Sequence, residues 1–358
     1  MKRTGILTFN RAINYGAALQ VFALQETLES FGCDVKIINY ISPELEEDHR
    51  IFSLKRCKSL RALAANLINI PFAFLRSKYF ASFRKKYLKE TAPSRSPAEF
   101  NGSFDLFIAG SDQVFNPQIT RADKNYFLDF VEDKNKKFSY AASFGLDKIS
   151  QEEAAFMTPL LNDFKKVSVR ENQGAEIYKN LCGKDAEVDL DPVLLQTADF
   201  WQKTASNKLN GEKFILVYLI FNDQKLFAFA QELARKTGLK IKVISYSLRR
   251  PIKADYIMPS VNEWVEYFLK AEYIITNSFH GIAFSINFKK DFFADFLPSG
   301  YVNSRLEDIL KMTGLTGRLI GNNPPLKISD WAYSYSVIAA EREKSLNYLK
   351  SITGNEQN

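Results

Sequence analysis

The chain holds two histidines, and one of them, His280, stands in "TNSFHG", residues 276–281, between an apolar strand-like run and an apolar helix-like run. Asn277 and Ser278 are both suited to cap a helix beginning at Phe279. His280 then falls in the first turn, where an imidazole can move a proton near neutral pH or donate to a phosphate. Gly281 leaves room beside it. The plain alternative is a structural hydrogen bond to a carbonyl. The other histidine, His49, lies in the charged, surface-like "EEDHR". In "AGSDQVFNP" (109–117), Asp112 follows an apolar run and can either cap a helix or accept the proton of a sugar hydroxyl. In "SVRE" (168–171), the planar fork of Arg170 suits a carboxylate or phosphate, unless Glu171 or another acid already occupies it. In "NRAINYGAA" (10–18), Asn14 and the backbone around Gly16 can wrap a phosphate or sugar, or Asn14 simply caps the helix that follows.

These stretches share a position. "TGILTF" reads as a strand, residues 15–31 as a helix with an apolar stripe, Gly32 as its stop and "DVKIINY" as the next strand, which is the opening of a parallel sheet. "FDLFIAG", "KFSYAASFG", "KVSVRE" and "AEVDLD" continue as strands, with helices over 150–164 and 173–181. The alternation restarts at "KFILVYLI" and runs through "KIKVISYS", "YIITNS" and "DFFADF", with helices between them and two more after residue 303. Two α/β domains result, expected at 1–198 and 199–358 and dividing near 195–210, with the last helix free to pack back on the first. Ligands of open parallel sheets bind beyond the carboxyl ends of strands, where helix N-termini offer N–H groups. All four stretches sit at such ends.

Composition narrows the classes. Cys33, Cys57 and Cys182 are scattered, and no zinc-ligand spacing occurs. Neither a resident metal nor a cofactor is called for. "MKRTGILTF" lacks the apolar core of a signal peptide, and "LRALAANLINIPFAFLRS" is too short and polar to span a bilayer, so a cytoplasmic protein is expected. The formal charge of +7 is local: Arg50 to Lys89 holds eleven basic residues and no acidic one, which leaves −4 elsewhere. That argues against a nucleic-acid partner. Leu60, Leu63, Ala64 and Leu67, then Phe72, Leu75, Tyr79, Phe83 and Tyr87, predict two amphipathic helices parted at Pro71, inserted at about 49–92 of the first domain. Their basic face either meets water or meets anionic headgroups as a peripheral membrane contact.

In order, "NYGAALQVFAL", "DLFIAGSDQVFNP", "FSYAASFG", "SVRE", "DPVLL" and "TNSFHG" resemble the polysaccharide pyruvyl transferase family over about residues 4–320. The resemblance implies two Rossmann-like domains in a glycosyltransferase-B-like arrangement. It implies transfer of the enolpyruvyl unit of phosphoenolpyruvate to saccharide hydroxyls as a pyruvate ketal, with phosphate released, in surface or capsular polysaccharide synthesis. The acceptor would be a saccharide, commonly lipid-linked, met at the inner membrane face. His280, Asp112 and Arg170 become catalytic candidates. Asn14, Tyr15, Gly16, Ser111, Gln113, Asn277, Ser278 and Gly281 become substrate contacts, with Arg249 and Arg305 as further clamps for an anionic donor. Two departures stand out: Phe115 where the family often has Trp, and Asn277 where it often has Asp. The competing readings are a nucleotide-sugar glycosyltransferase and a non-catalytic carbohydrate- or membrane-binding protein.

Overall fold

The computed structural model describes residues 1–45, 60–246, 250–298 and 301–354, without the side chains of 60–68. His49, Arg249, Arg50, Lys55, Arg56 and Lys58 therefore lie outside the described residues. The chain forms two units, Met1–His49 with Arg84–Gln196 and Ile338–Asn358, and Arg50–Phe83 with Thr197–Val337.

In the first unit, β1 (Arg3–Leu7) leads through helix α1 (Tyr15–Ser30) to β2 (Asp34–Ile37). Helix α2 (Leu60–Tyr87) precedes β3 (Leu106–Ala109) and β4 (Lys137–Ser139). The four strands are parallel in the order β2-β1-β3-β4, with Ile6 level with Ile37 and Ile108. Helix α3 (Gln151–Asn162) opens on a capping box of Ser150 and Glu153. Beyond it, β5 (Ser168–Val169) and β6 (Glu187–Val188) pair with each other, with helix α4 (Asn172–Cys182) between them in sequence. Isolated bridges such as Ala142 with Val169 join β5 to the chain after β4. The core is aromatic. Phe115 is fully buried and stacks on Phe127 at 5.1 Å, with Phe144 and Phe164 beside it. The departure at position 115 thus exchanges one core aromatic for another.

The second unit starts with helix α5 (Ala198–Thr204) and β7 (Phe214–Tyr218). Helix α6 (Gln224–Thr237) is capped by Asp223 and stopped by Gly238 at φ +72°. Then follow β8 (Lys240–Ile244), β9 (Asp255–Ile257), α7 (Val261–Lys270), β10 (Tyr273–Thr276), α8 (Phe279–Asn287), β11 (Asp291–Ala294) and α9 (Ser304–Met312). The five strands are again parallel, in the order β11-β10-β7-β8-β9. Strand β9 is short and half-buried, which is why its sequence carries no clear apolar signal.

Two parallel sheets, each with crossover helices, make two Rossmann-like units, as the residue patterns predict. The helix pair expected around Pro71 is corrected: α2 is one helix of 28 residues with Pro71 inside it. Proline deletes one amide donor and leaves the rest of the ladder in place. The expected insertion at 49–92 of the first domain is also divided differently, since Arg50–Phe83 group with the second unit. One contact behind this is the Arg76 guanidinium, 4.8 Å above the Tyr246 ring. At the end of α2, Phe80 and Phe83 are buried, Arg84 grips Glu90 with two nitrogens at 2.8 Å, and Lys89 reaches Glu29 at 2.8 Å. Phe74, by contrast, is 60% exposed. The final helix, α10 (Ala332–Thr353), joins the first unit from Ile338 onward, where Ser345 Oγ accepts from the Leu190 amide and the Tyr348 hydroxyl donates to the Ser139 carbonyl.

Candidate functional site

Both sheets reverse their strand order at the first strand, between β1 and β3 in one unit and between β7 and β10 in the other. Such reversals open a crevice at the carboxyl ends of the strands. "TNSFHG" lies at the second. Thr276 Oγ1 donates to the Tyr218 carbonyl at 2.7 Å and accepts from the Ser278 amide at 3.1 Å. Asn277 ties the two loops of the crevice together: its Oδ1 accepts from the Ile220 amide at 2.8 Å and its Nδ2 donates to the Phe221 carbonyl at 2.9 Å. That pairing needs an amide, because a carboxylate would face the Phe221 carbonyl with a second acceptor. Asparagine at this position therefore has a structural reason of its own. Ser278 caps α8 by accepting from the Gly281 amide at 3.3 Å. A β-carbon on Gly281 would stand 2.3 Å from Thr276 Oγ1, so the glycine is needed for helix and strand to approach. His280 is 9% exposed in the first turn, edge-on to Phe279 at 5.3 Å. Tyr218, buried on β7 level with Thr276, has its hydroxyl pKa pushed up by burial.

In the first unit the sequence-predicted residues meet in a buried charge network. Asp112 follows β3 at φ +78°, in the left-handed region, which aspartate tolerates better than most residues. Its Oδ1 accepts from the Gln113 amide at 2.9 Å and from Arg170 Nη2 at 3.4 Å. Arg170 Nη1 donates to Asp191 Oδ2 at 2.5 Å. The side chains of Arg170 and Asp191 are 1% and 0% exposed, against 16% for Asp112. Burial opposes the charge of Arg170, but the Asp191, Asp112 and Glu171 carboxylates outweigh it and raise its pKa. Glu171 is not the partner of Arg170's fork. Its Oε1 accepts from the Ser143 hydroxyl at 2.9 Å and from the Phe144 and Gly145 amides, which holds that turn. Ser111 is buried, donates to the Ala141 carbonyl at 2.9 Å and accepts through its own carbonyl from Thr8 Oγ1 at 2.7 Å. Gln113 packs its side-chain oxygen against Gly145.

Asn14 caps α1 by accepting from the Ala17 amide at 3.2 Å, while Tyr15 and Gly16 are buried in its first turn. The loop before it, Thr8 to Ala12, lines a cavity of about 360 Å³ in the first unit. Arg305 lies in the first turn of α9, half-buried. The arrangement thus gathers Asp112, Gln113 and Arg170 around one carboxylate, gathers Asn277, Ser278, His280 and Gly281 on one turn, and gives Ser111 and Gly281 packing duties. Sequence reasoning missed Asp191. The signal was there in "DPVLL", where an acid precedes a helix-starting proline; Asp191 Oδ1 accepts from the Val193 amide at 3.0 Å. Among the described residues no cluster of three or more His, Cys, Asp or Glu could hold a metal ion. No helix among them is long and apolar enough to cross a membrane.

Comparison with known proteins gives the fold and the family separately. A UDP-N-acetylglucosamine 2-epimerase from Listeria monocytogenes, described as putative in its own title, is similar at a TM-score of 0.50 and 10% identity, over 98% of this chain and 89% of that one. The UDP-GlcNAc 2-epimerase of Neisseria meningitidis gives 0.47 and 11%, over 99% and 94%. A Streptomyces glycosyltransferase gives 0.41 and 10%, over 98% and 99%. At such identities these are likenesses of fold alone. No curated protein matches the sequence. The family model of the polysaccharide pyruvyl transferases matches residues 14–294, from the cap of α1 to the end of β11. The chain belongs to the polysaccharide pyruvyl transferase family, and through it to the transferases.

Proposed function

We propose that the protein moves the enolpyruvyl unit of phosphoenolpyruvate onto two hydroxyls of a saccharide, forming a cyclic pyruvate ketal and releasing phosphate, in the synthesis of a surface or capsular polysaccharide. The match of the family model over residues 14–294 carries the reading. The first hydroxyl oxygen bonds to C2 of the enolpyruvyl group while a proton goes to C3. The C2–O bond to phosphate then breaks, and the oxocarbenium-like centre is trapped by the second hydroxyl, which gives up its proton. Asp112 takes the proton of the attacking hydroxyl, its carboxylate held by Arg170, whose other nitrogen is fastened to Asp191. His280 is the acid at C3 or the partner of the phosphate. The amides of Ala17 and Gly281 are already taken by helix caps, so donors to the anion come from side chains and the remaining first-turn amides.

The test is phosphate release from phosphoenolpyruvate that depends on a saccharide acceptor, together with the carbon NMR signal of the ketal. Consumption of a nucleotide sugar instead would replace this reading with glycosyl transfer. The acceptor is proposed to be lipid-linked and met at the cytoplasmic membrane face. Of the basic residues on α2, Lys78, Lys85 and Lys86 are exposed. The protein should pellet with anionic and not neutral vesicles at low salt, and neutralising these three lysines should reduce pelleting. Equal partitioning of the two proteins would make the segment structural.

A further inference from the structure

We propose that the cavity walled by the Thr8–Ala12 loop is a binding site for one pyranose ring, and that this ring is the acceptor unit of the transfer; the second half of the statement rests on the pyruvyl transfer proposed above. The cavity lies beyond the carboxyl ends of β1 and β2, beside the reversal of strand order. Its volume of about 360 Å³ is at the small end of the roughly 300–1,000 Å³ typical of small-ligand pockets, which fits a single saccharide unit. Its lining joins two kinds of group. Phe9, half-buried, lies against Tyr126 with ring centroids 5.0 Å apart, and Tyr40 meets Tyr126 edge-on at 5.9 Å. Aromatic rings of this kind take the C–H face of a sugar ring. Around them are hydroxyls and fork donors that match sugar hydroxyls: Ser42, Tyr40 and Arg11.

These polar groups are held in place before any ligand arrives. Asp123 Oδ2 accepts from the Tyr40 hydroxyl at 2.7 Å and from Ser42 Oγ at 3.1 Å, and Asn125 donates to the Tyr40 oxygen at 2.9 Å. Ser42 Oγ keeps acceptor capacity for a ligand hydroxyl, while Tyr40, bonded on both sides, holds the wall in place. Arg11 Nη1 is anchored on Asn39 Oδ1 at 3.0 Å. Arg121, also on the wall, is fixed at φ +56° as the left-handed cap of the single helical turn Pro117–Thr120. The cavity is also tied to the chemistry. Thr8, on its wall, donates to the carbonyl of Ser111, the residue before Asp112, so one hydrogen bond separates the pocket from the chain that carries the carboxylate.

The test measures binding without phosphoenolpyruvate. Ligand-observed NMR is run with methyl glycosides of glucose, galactose, mannose and N-acetylglucosamine on the wild type, on Phe9→Leu and on Ile119→Trp. Ile119 lines the cavity from a position 39% exposed, so a larger side chain there fills the space without disturbing the core. Saturation transfer to at least one glycoside is expected with the wild type, weakened about tenfold by Ile119→Trp and severalfold by Phe9→Leu, where the apolar area remains but the ring face is gone. No binding of any glycoside by the wild type, or equal binding by all three proteins, overturns the proposal; so does displacement of the glycosides by a fatty acid that Ile119→Trp alone excludes. In turnover, Ile119→Trp should raise the acceptor KM about tenfold and leave the phosphoenolpyruvate KM unchanged. Transfer with an unchanged acceptor KM overturns the pocket and leaves pyruvyl transfer standing. Glycoside binding lost in Ile119→Trp, in a protein that never releases phosphate from phosphoenolpyruvate, supports the ring site and overturns the pyruvyl reading alone.

Discussion

Replacing Gly281 with alanine should destabilise the second unit, although alanine is the better helix former by about 1 kcal/mol. The added methyl would lie 2.3 Å from Thr276 Oγ1 and 3.0 Å from the Thr276 β- and γ2-carbons. Thr276 is β-branched and fully buried, and its hydroxyl serves both the Tyr218 carbonyl and the Ser278 amide. Rotating it away leaves those two groups unpaired, at about 1–3 kcal/mol, and forcing the helix off the strand costs about 1–3 kcal/mol as overpacking. Set against the gain in propensity, the net loss is about 1–5 kcal/mol. Urea unfolding read by tryptophan fluorescence measures it, since Trp201 and Trp264 pack on Phe284 of α8 at 4.8 and 4.9 Å. Truncating the neighbour should relieve the clash: Gly281→Ala with Thr276→Ala should be more stable than the sum of the two single changes by about 1 kcal/mol or more. A Gly281→Ala protein with an unchanged or raised urea midpoint, or strict additivity in the pair, would show that the glycine does not serve close packing.

Three further outcomes are expected. Arg170→Lys should keep the charge and lose the fork that spans Asp112 and Asp191, lowering kcat/KM about 10- to 100-fold; wild-type kinetics would remove Arg170 from the support of Asp112. His280→Ala should lower turnover about 100-fold or more if the imidazole moves a proton, whereas retained turnover with a much higher phosphoenolpyruvate KM would make it a binding group and unchanged kinetics would exclude both roles. Asn277→Asp, which installs the residue common in the family, should destabilise the protein by about 1–2 kcal/mol in urea unfolding, because a carboxylate cannot donate to the Phe221 carbonyl; equal stability would mean that the loop pairing at this crevice is dispensable.

Periodicity alone determined much of this protein. Apolar runs such as "FILVY" and "YIIT", each followed by a stripe of helical spacing, are local properties, and they became parallel strands and crossover helices in both units. The helix caps at Asn14 and Ser278 were legible for the same reason: a cap bonds within its own turn. What the charged and polar residues do was decided only by tertiary structure. Arg170 stands next to Glu171 in sequence, but beyond β5 the Glu171 carboxylate is taken by the Ser143 hydroxyl and the Phe144 and Gly145 amides, while the Arg170 fork meets Asp112, 58 positions away, and Asp191, 21 away. Gly281 leaves space beside His280 in sequence, and folding fills that space with Thr276. The stretch from Arg50 to Lys89, with its eleven basic residues, carries no sign that Arg84 and Lys89 will be taken up by Glu90 and Glu29. A strand or a helix is written in spacing along the chain. The partner of a charge is chosen by which strands lie side by side, and that follows from packing the whole sheet.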